Sequence, residues 1–195
     1  MNKLVTTLVA GLLFATPTFA LDNTSQHNFK LKKDNLSLTY RDHQNLDKWM
    51  TQIDYKLAGF GYAYRYQESK GNVEHRLRMN TPSLIKWGNL KVTPRIEYRM
   101  FDKEGKDDYG NVWLRIQYKQ KITDRLSAYL KLQPKFAFAN DKYDDGDFYT
   151  SQNNIGVDYK INNSMTFGVF AEKNTTDKLS ETKSIFLGTN VSVKF

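Results

Sequence analysis

Apolar and polar residues alternate one by one through most of this chain, most cleanly where aromatic residues mark the pattern. In 60–67, Phe60, Tyr62, Tyr64 and Tyr66 take one set of positions and Gly61, Ala63, Arg65 and Gln67 the other. Successive side chains of a β-strand point to opposite faces, so a period of two predicts a strand with one apolar and one polar face. The same design recurs in 36–41, 48–55, 73–80, 90–101, 112–119, 126–136, 165–173 and 185–195, with a more polar version in 151–159. Together these segments predict about ten strands separated by turn-forming residues. Pro94 falls inside one of them and predicts a lost ladder hydrogen bond, absorbed by a bulge. The stretch 21–33 is polar apart from Phe29 and Leu31 and reads as a lead-in to the first strand.

Alternation alone fits either a sandwich, with its apolar faces turned inward, or a membrane barrel, with them turned outward. The rest of the sequence favours the barrel. Lys3, the apolar run 4–15 and the small-x-small step Thr18-Phe19-Ala20 predict a secretory leader over 1–20. With 12 Tyr and 12 Phe the chain is rich in aromatics, yet its mean hydropathy is −0.66. A barrel reconciles the two, since only alternate residues meet lipid and Tyr and Trp collect at the membrane interfaces. The connections at 56–59, 120–124 and 160–164 are short and those at 102–110, 138–147 and 174–181 longer, as periplasmic turns and outer loops are. Two break this rhythm, 82–89 being long for a periplasmic turn and 69–72 short for an outer loop. The expected fold is therefore all-β, a transmembrane antiparallel up-and-down barrel of about ten strands, or twelve, over 21–195.

The formal charge of +8 raises nucleic acid as a partner, but an exported protein does not commonly meet it. The useful question is where the cations point. On the polar faces lie Arg41, Arg65, Arg76, Arg78, Lys91, Arg95, Arg99, Arg115, Lys119, Lys131 and Lys135, against Asp54, Glu74, Glu97, Asp158 and Glu172. Turned into a lumen, those cations predict a passage favouring anions, and they are the candidate pore-lining residues. The alternative is structural, with Arg–Glu pairs filling a narrow interior.

Two resemblances extend this reading. The strand ending at Phe195 resembles the closing strand of bacterial outer-membrane barrels, whose assembly machinery reads such an end, so Phe195 is the candidate assembly signal. The succession Val92-Thr93-Pro94, Leu114-Arg115-Ile116-Gln117-Tyr118-Lys119, Ile122-Thr123-Asp124-Arg125-Leu126-Ser127 and Leu132-Gln133-Pro134 resembles the oligogalacturonate-specific porin family. That resemblance implies a monomeric twelve-stranded barrel with basic lumenal tracks for acidic oligosaccharides. The expected location is the Gram-negative outer membrane, with the lipid bilayer and lipopolysaccharide as surroundings.

Catalysis has little to build on. Of three histidines, His27 sits in the lead-in, His43 in a loop and His75 on an apolar face, where a nearby Ser would make a weak hydrolase centre. With no cysteine and no His/Asp/Glu cluster of ligand spacing, neither a metal nor another cofactor is expected. Loop acids Asp141, Asp144, Asp145 and Asp147 read as solvated.

Overall fold

The computed structural model describes residues 25–43, 46–103, 105–138, 146–177 and 181–195; the leader 1–20 and Asp141, Asp144 and Asp145 lie outside them. The described residues form strands and connections, with no helix among them. In chain order the strands are β1 Ser25–Lys33, β2 Leu36–His43, β3 Lys48–Leu57, β4 Phe60–Ser69, β5 Asn72–Asn80, β6 Ile85–Trp87, β7 Leu90–Phe101, β8 Tyr109–Lys121, β9 Leu126–Leu132, β10 Pro134–Phe138, β11 Phe148–Lys160, β12 Met165–Thr175 and β13 Thr182–Lys194. They close into one eleven-stranded barrel. β9 and β10 are two halves of one wall strand, both paired with β8 and β11, and β6 lies beside β7 beyond the end of β5.

All ten alternating segments become wall strands, and the eleventh is a correction. The stretch expected to be a lead-in is β1, paired antiparallel with β2 and parallel with β13, Ser25 facing Leu187 and Lys32 facing Lys194. Its alternation is present but faint: Gln26 is buried on the inner side while Phe29 is exposed on the outer. Only long-range closure gives so polar a strand two partners. An odd strand number forces one parallel pair, because every other neighbour in the wall runs antiparallel.

The prolines sit where the sheet tolerates them. Pro94 needs no bulge: β7 holds one register against β8, and Pro94 lies where its other partner changes from β5 to β6. Its carbonyl accepts from Thr81 N–H at 3.1 Å, so its missing N–H faces that gap. Pro134 instead interrupts a wall strand, separating β9 from β10 without changing the pairing with β11. The short connection after β4 is a two-residue turn, Lys70 and Gly71 both at positive φ, as the hairpin turns matching strand twist require. The long one after β5 holds β6.

The barrel is apolar outside and polar within. Leu36, Leu38, Ile53, Leu77, Ile96, Leu130, Val169 and Leu187 are exposed on the outer wall. Tyr55, Tyr62, Tyr118 and Tyr159 stand towards its short-turn end, and Tyr40 and Tyr98 towards its long-loop end. Arg65, Gln67, Glu74, Arg76, Arg78, Glu97, Asn111 and Glu172 are buried inside. This inverts the arrangement of a sandwich or a soluble core.

The inner-wall rings of Tyr129 and Phe170 each lie against a glycine, Gly156 and Gly188. A Cβ on Gly188 would run into the Phe170 ring and the Gln26 backbone carbonyl across the parallel seam. Gly188→Val is therefore predicted to cost about 1–3 kcal/mol in unfolding by urea, the range of forced overpacking. Ser192→Val, on the same strand face, serves as control; equal loss from both would show that the Phe170 contact is not the cause.

Candidate functional site

The inner wall is divided along the axis by how its charges are paired. Towards the long loops, Glu74 and Glu97 gather arginines from two adjacent strands. Arg76 Nε donates to Glu74 Oε1 at 2.7 Å and its Nη2 to Oε2 at 2.9 Å, while Arg99 donates to the same carboxylate and to the Tyr109 hydroxyl. Arg78 Nε donates to Glu97, whose other oxygen lies 3.7 Å from Arg76. Gln67 Nε2 closes the cluster on Glu74 at 3.0 Å. Charge-assisted bonds of this kind are roughly twice as strong as neutral ones.

Below this network is a cavity of about 270 Å³. Lys30, Arg41, Arg65, Arg78, Arg95, Arg115 and Lys131 line it, against Asp54 and Glu172. Both acids are already engaged: Asp54 accepts from Gln52 Nε2 at 2.6 Å and lies 3.6 Å from Lys30, and Glu172 takes amide donors from Gln152 and Asn154, both at 2.7 Å. Several arginines also spend their Nε on neutral acceptors, Arg41 on Asn28 at 2.6 Å, Arg65 on Gln52 at 3.0 Å and Arg95 on Asn80 at 2.7 Å. These bonds fix the guanidiniums against the wall without neutralising them. The cavity therefore keeps a surplus of positive charge.

Trp113 is the hub of one side. Its indole N–H donates to Asn111, and Arg78, Arg95 and Lys135 stand over its ring at 5.4, 5.1 and 3.8 Å from the centroid. On the adjacent strand β9, Lys131 lies 4.1 Å from the centroid of Tyr129. Such contacts hold cations by the ring quadrupole.

All eleven cations of the polar faces thus belong to the inner wall, in three settings. Arg41, Arg65, Arg78, Arg95, Arg115 and Lys131 line the cavity. Arg76 and Arg99 belong to the carboxylate network, with Lys135 beside it on Trp113. Lys91 and Lys119 are exposed near the short-turn rim, Lys119 bonded to Asp158 at 2.8 Å. Sequence reasoning missed Lys30, whose strand it had not recognised. The alternation in 112–119 and 126–136 places Trp113 and Tyr129 on the polar faces with the cations, and a large ring among cations is the signal for their role.

Outside the lumen, His75 stands on the outer wall as expected, but its partners there are not serine. Among the described residues, Tyr64 Oη lies 2.6 Å from its Nδ1 and Asp102 Oδ2 3.0 Å from its Nε2. Phe195 is exposed at the foot of the seam, where its N–H donates to Lys32 O at 3.1 Å. No group of three or more His, Cys, Asp and Glu suited to a metal is found among the described residues. Comparison with known protein families and with curated proteins finds no match to this chain.

Proposed function

We propose that this chain is an outer-membrane barrel whose basic lumen passes anions, acidic oligosaccharides among them. The observation that carries this reading is the cavity enclosed by a wall that is apolar outside and lined inside by cations exceeding the available carboxylates. An apolar outer wall edged with tyrosines suits a bilayer with its interfaces. Uncompensated lumenal cations favour anions over cations, and several weak sites in series permit release as well as binding. The resemblance to oligogalacturonate porins supplies the acidic sugar as the larger candidate solute. In this reading residues 1–20 direct export and Phe195 addresses the assembly machinery.

A second reading, a closed structural barrel, draws on the Glu74–Arg76–Glu97–Arg99 network, which occupies the lumen on the long-loop side. Conductance of refolded protein in a planar bilayer separates the two. The predicted result is a current whose reversal potential under a potassium chloride gradient reports anion preference. Joint replacement of Arg95, Arg99 and Arg115 by alanine reduces that preference, and oligogalacturonate reduces the chloride current. A cation-preferring current would sink the anion passage, and no current at all would leave the closed barrel.

A further inference from the structure

We propose that the lumen contains a discrete site for a tetrahedral oxyanion of the phosphate class, formed by Arg78, Arg95 and Arg115 beside Trp113. The site deepens the proposed anion passage and rests on its basic lumen. The three arginines are neighbours by register: Arg95 faces Trp113 across β7 and β8, and Arg78 and Arg115 occupy the positions diagonal to Arg95 on either side. Diagonal pairs on one sheet face lie within reach of long side chains. Lys135 shares the indole ring with Arg78 and Arg95. Of the carboxylates near this cluster, Glu97 is divided between Arg78 and Arg76, and Asp54, on the same cavity, is engaged by Gln52 and Lys30.

Two buried guanidinium nitrogens here have unspent donors. Arg78 gives its Nε to Glu97 and its Nη1 to Gln52 at 2.9 Å, while its Nη2 meets no acceptor among the described residues. That side chain is only 3% exposed and lines the cavity. Arg115 Nε, also buried, likewise meets no acceptor. A buried donor left unpaired costs about 1–3 kcal/mol, more when charged, so both nitrogens call for an acceptor from outside the chain.

Their arrangement selects its shape. A carboxylate is best matched by two parallel N–H groups from one guanidinium. Arg78 has no such fork to offer, since two of its nitrogens are engaged, while Arg95, its Nε spent on Asn80, and Arg115 reach the same place from two further strands. Donors arriving from three neighbouring strands suit an acceptor with oxygens pointing in several directions, which a phosphate or sulfate has. The cations around it also suit a dianion better than a monoanion.

Titration calorimetry of the refolded barrel in phosphate-free detergent micelles tests this with inorganic phosphate. The expected result is one saturable site per barrel, weakened about tenfold or more in Arg78→Gln/Arg115→Gln, the loss of about one charge-assisted bond or more. Arg115→Lys, which keeps the charge but moves the donor, also weakens it, whereas Lys103→Gln, exposed in the loop after β7, does not. Folding of each variant is checked by the heat-dependent mobility of the barrel on gels. No saturable phosphate binding to folded protein overturns the site, as does equal affinity in the double variant or tighter binding of galacturonate than of phosphate. Because micelle binding is read without any current, the two readings fail separately. A barrel that binds phosphate but passes no anions loses the passage and keeps the site, while one that passes anions without binding phosphate loses the site.

Discussion

Replacing Glu97 by alanine is expected to destabilise the barrel by about 3–5 kcal/mol, the cost of breaking a buried ion pair by removing one partner. Glu97 is 1% exposed, accepts from Arg78 and lies 3.7 Å from Arg76. Without it, Arg78 loses its carboxylate in a region already crowded by Arg95 and Lys135 around Trp113. Arg76 retains Glu74, so the damage centres on Arg78. Glu97→Gln keeps the shape and one acceptor and is expected to cost less. Urea unfolding of the variants in micelles provides the measurement, and added phosphate should recover part of the alanine loss by compensating the freed cations. A Glu97→Ala barrel as stable as the parent would mean that the network is held by packing and that its charges are solvated.

The second large effect concerns the outside. Ile53 is 51% exposed midway along β3, with Leu38 and Tyr64 as its cross-strand neighbours. Ile53→Arg is expected to lower stability in lipid vesicles by about 2–4 kcal/mol, the cost of a cation on the lipid face near the bilayer midplane. In a barrel surrounded by water the same exposed substitution stays within about 0.5 kcal/mol. Folding efficiency into vesicles, followed by the same gel assay, distinguishes these outcomes. Parent-like folding of the variant would show that this band does not face lipid. Trp87, 80% exposed on the short β6 beside the lower rim, offers the contrasting position, since an interfacial site tolerates arginine at about 0–1 kcal/mol.

Much of this molecule was legible along the chain because a strand writes its two faces into alternate residues. The run Phe60, Tyr62, Tyr64, Tyr66 against Ala63, Arg65, Gln67 identified both walls of β4 without any partner, and the same held for the arginines of β5 and β7. The part that escaped was non-local. In β1 the apolar side consists of little beyond Phe29 and Leu31, too faint a signal against a polar background, and only pairing with both β2 and β13 makes it a wall strand. Pro94 looked like a defect because a sequence shows the missing N–H but not that the neighbouring strand changes at that point.

The candidate site divides in the same way. Sequence determined that the inner wall would be basic, since the sign and spacing of Arg76, Arg78, Arg95 and Arg99 follow from the period of two. It did not determine which carboxylate each cation meets. That choice depends on register between strands, and register decided that Arg78 shares Glu97 with Arg76 while Arg95 turns to Asn80. Closure then brought Lys30 and Glu172 to the same cavity from opposite ends of the chain. Local alternation fixed which side of the wall each residue occupies; long-range hydrogen bonding fixed its neighbours, and with them the nitrogens of Arg78 and Arg115 that remain without a partner.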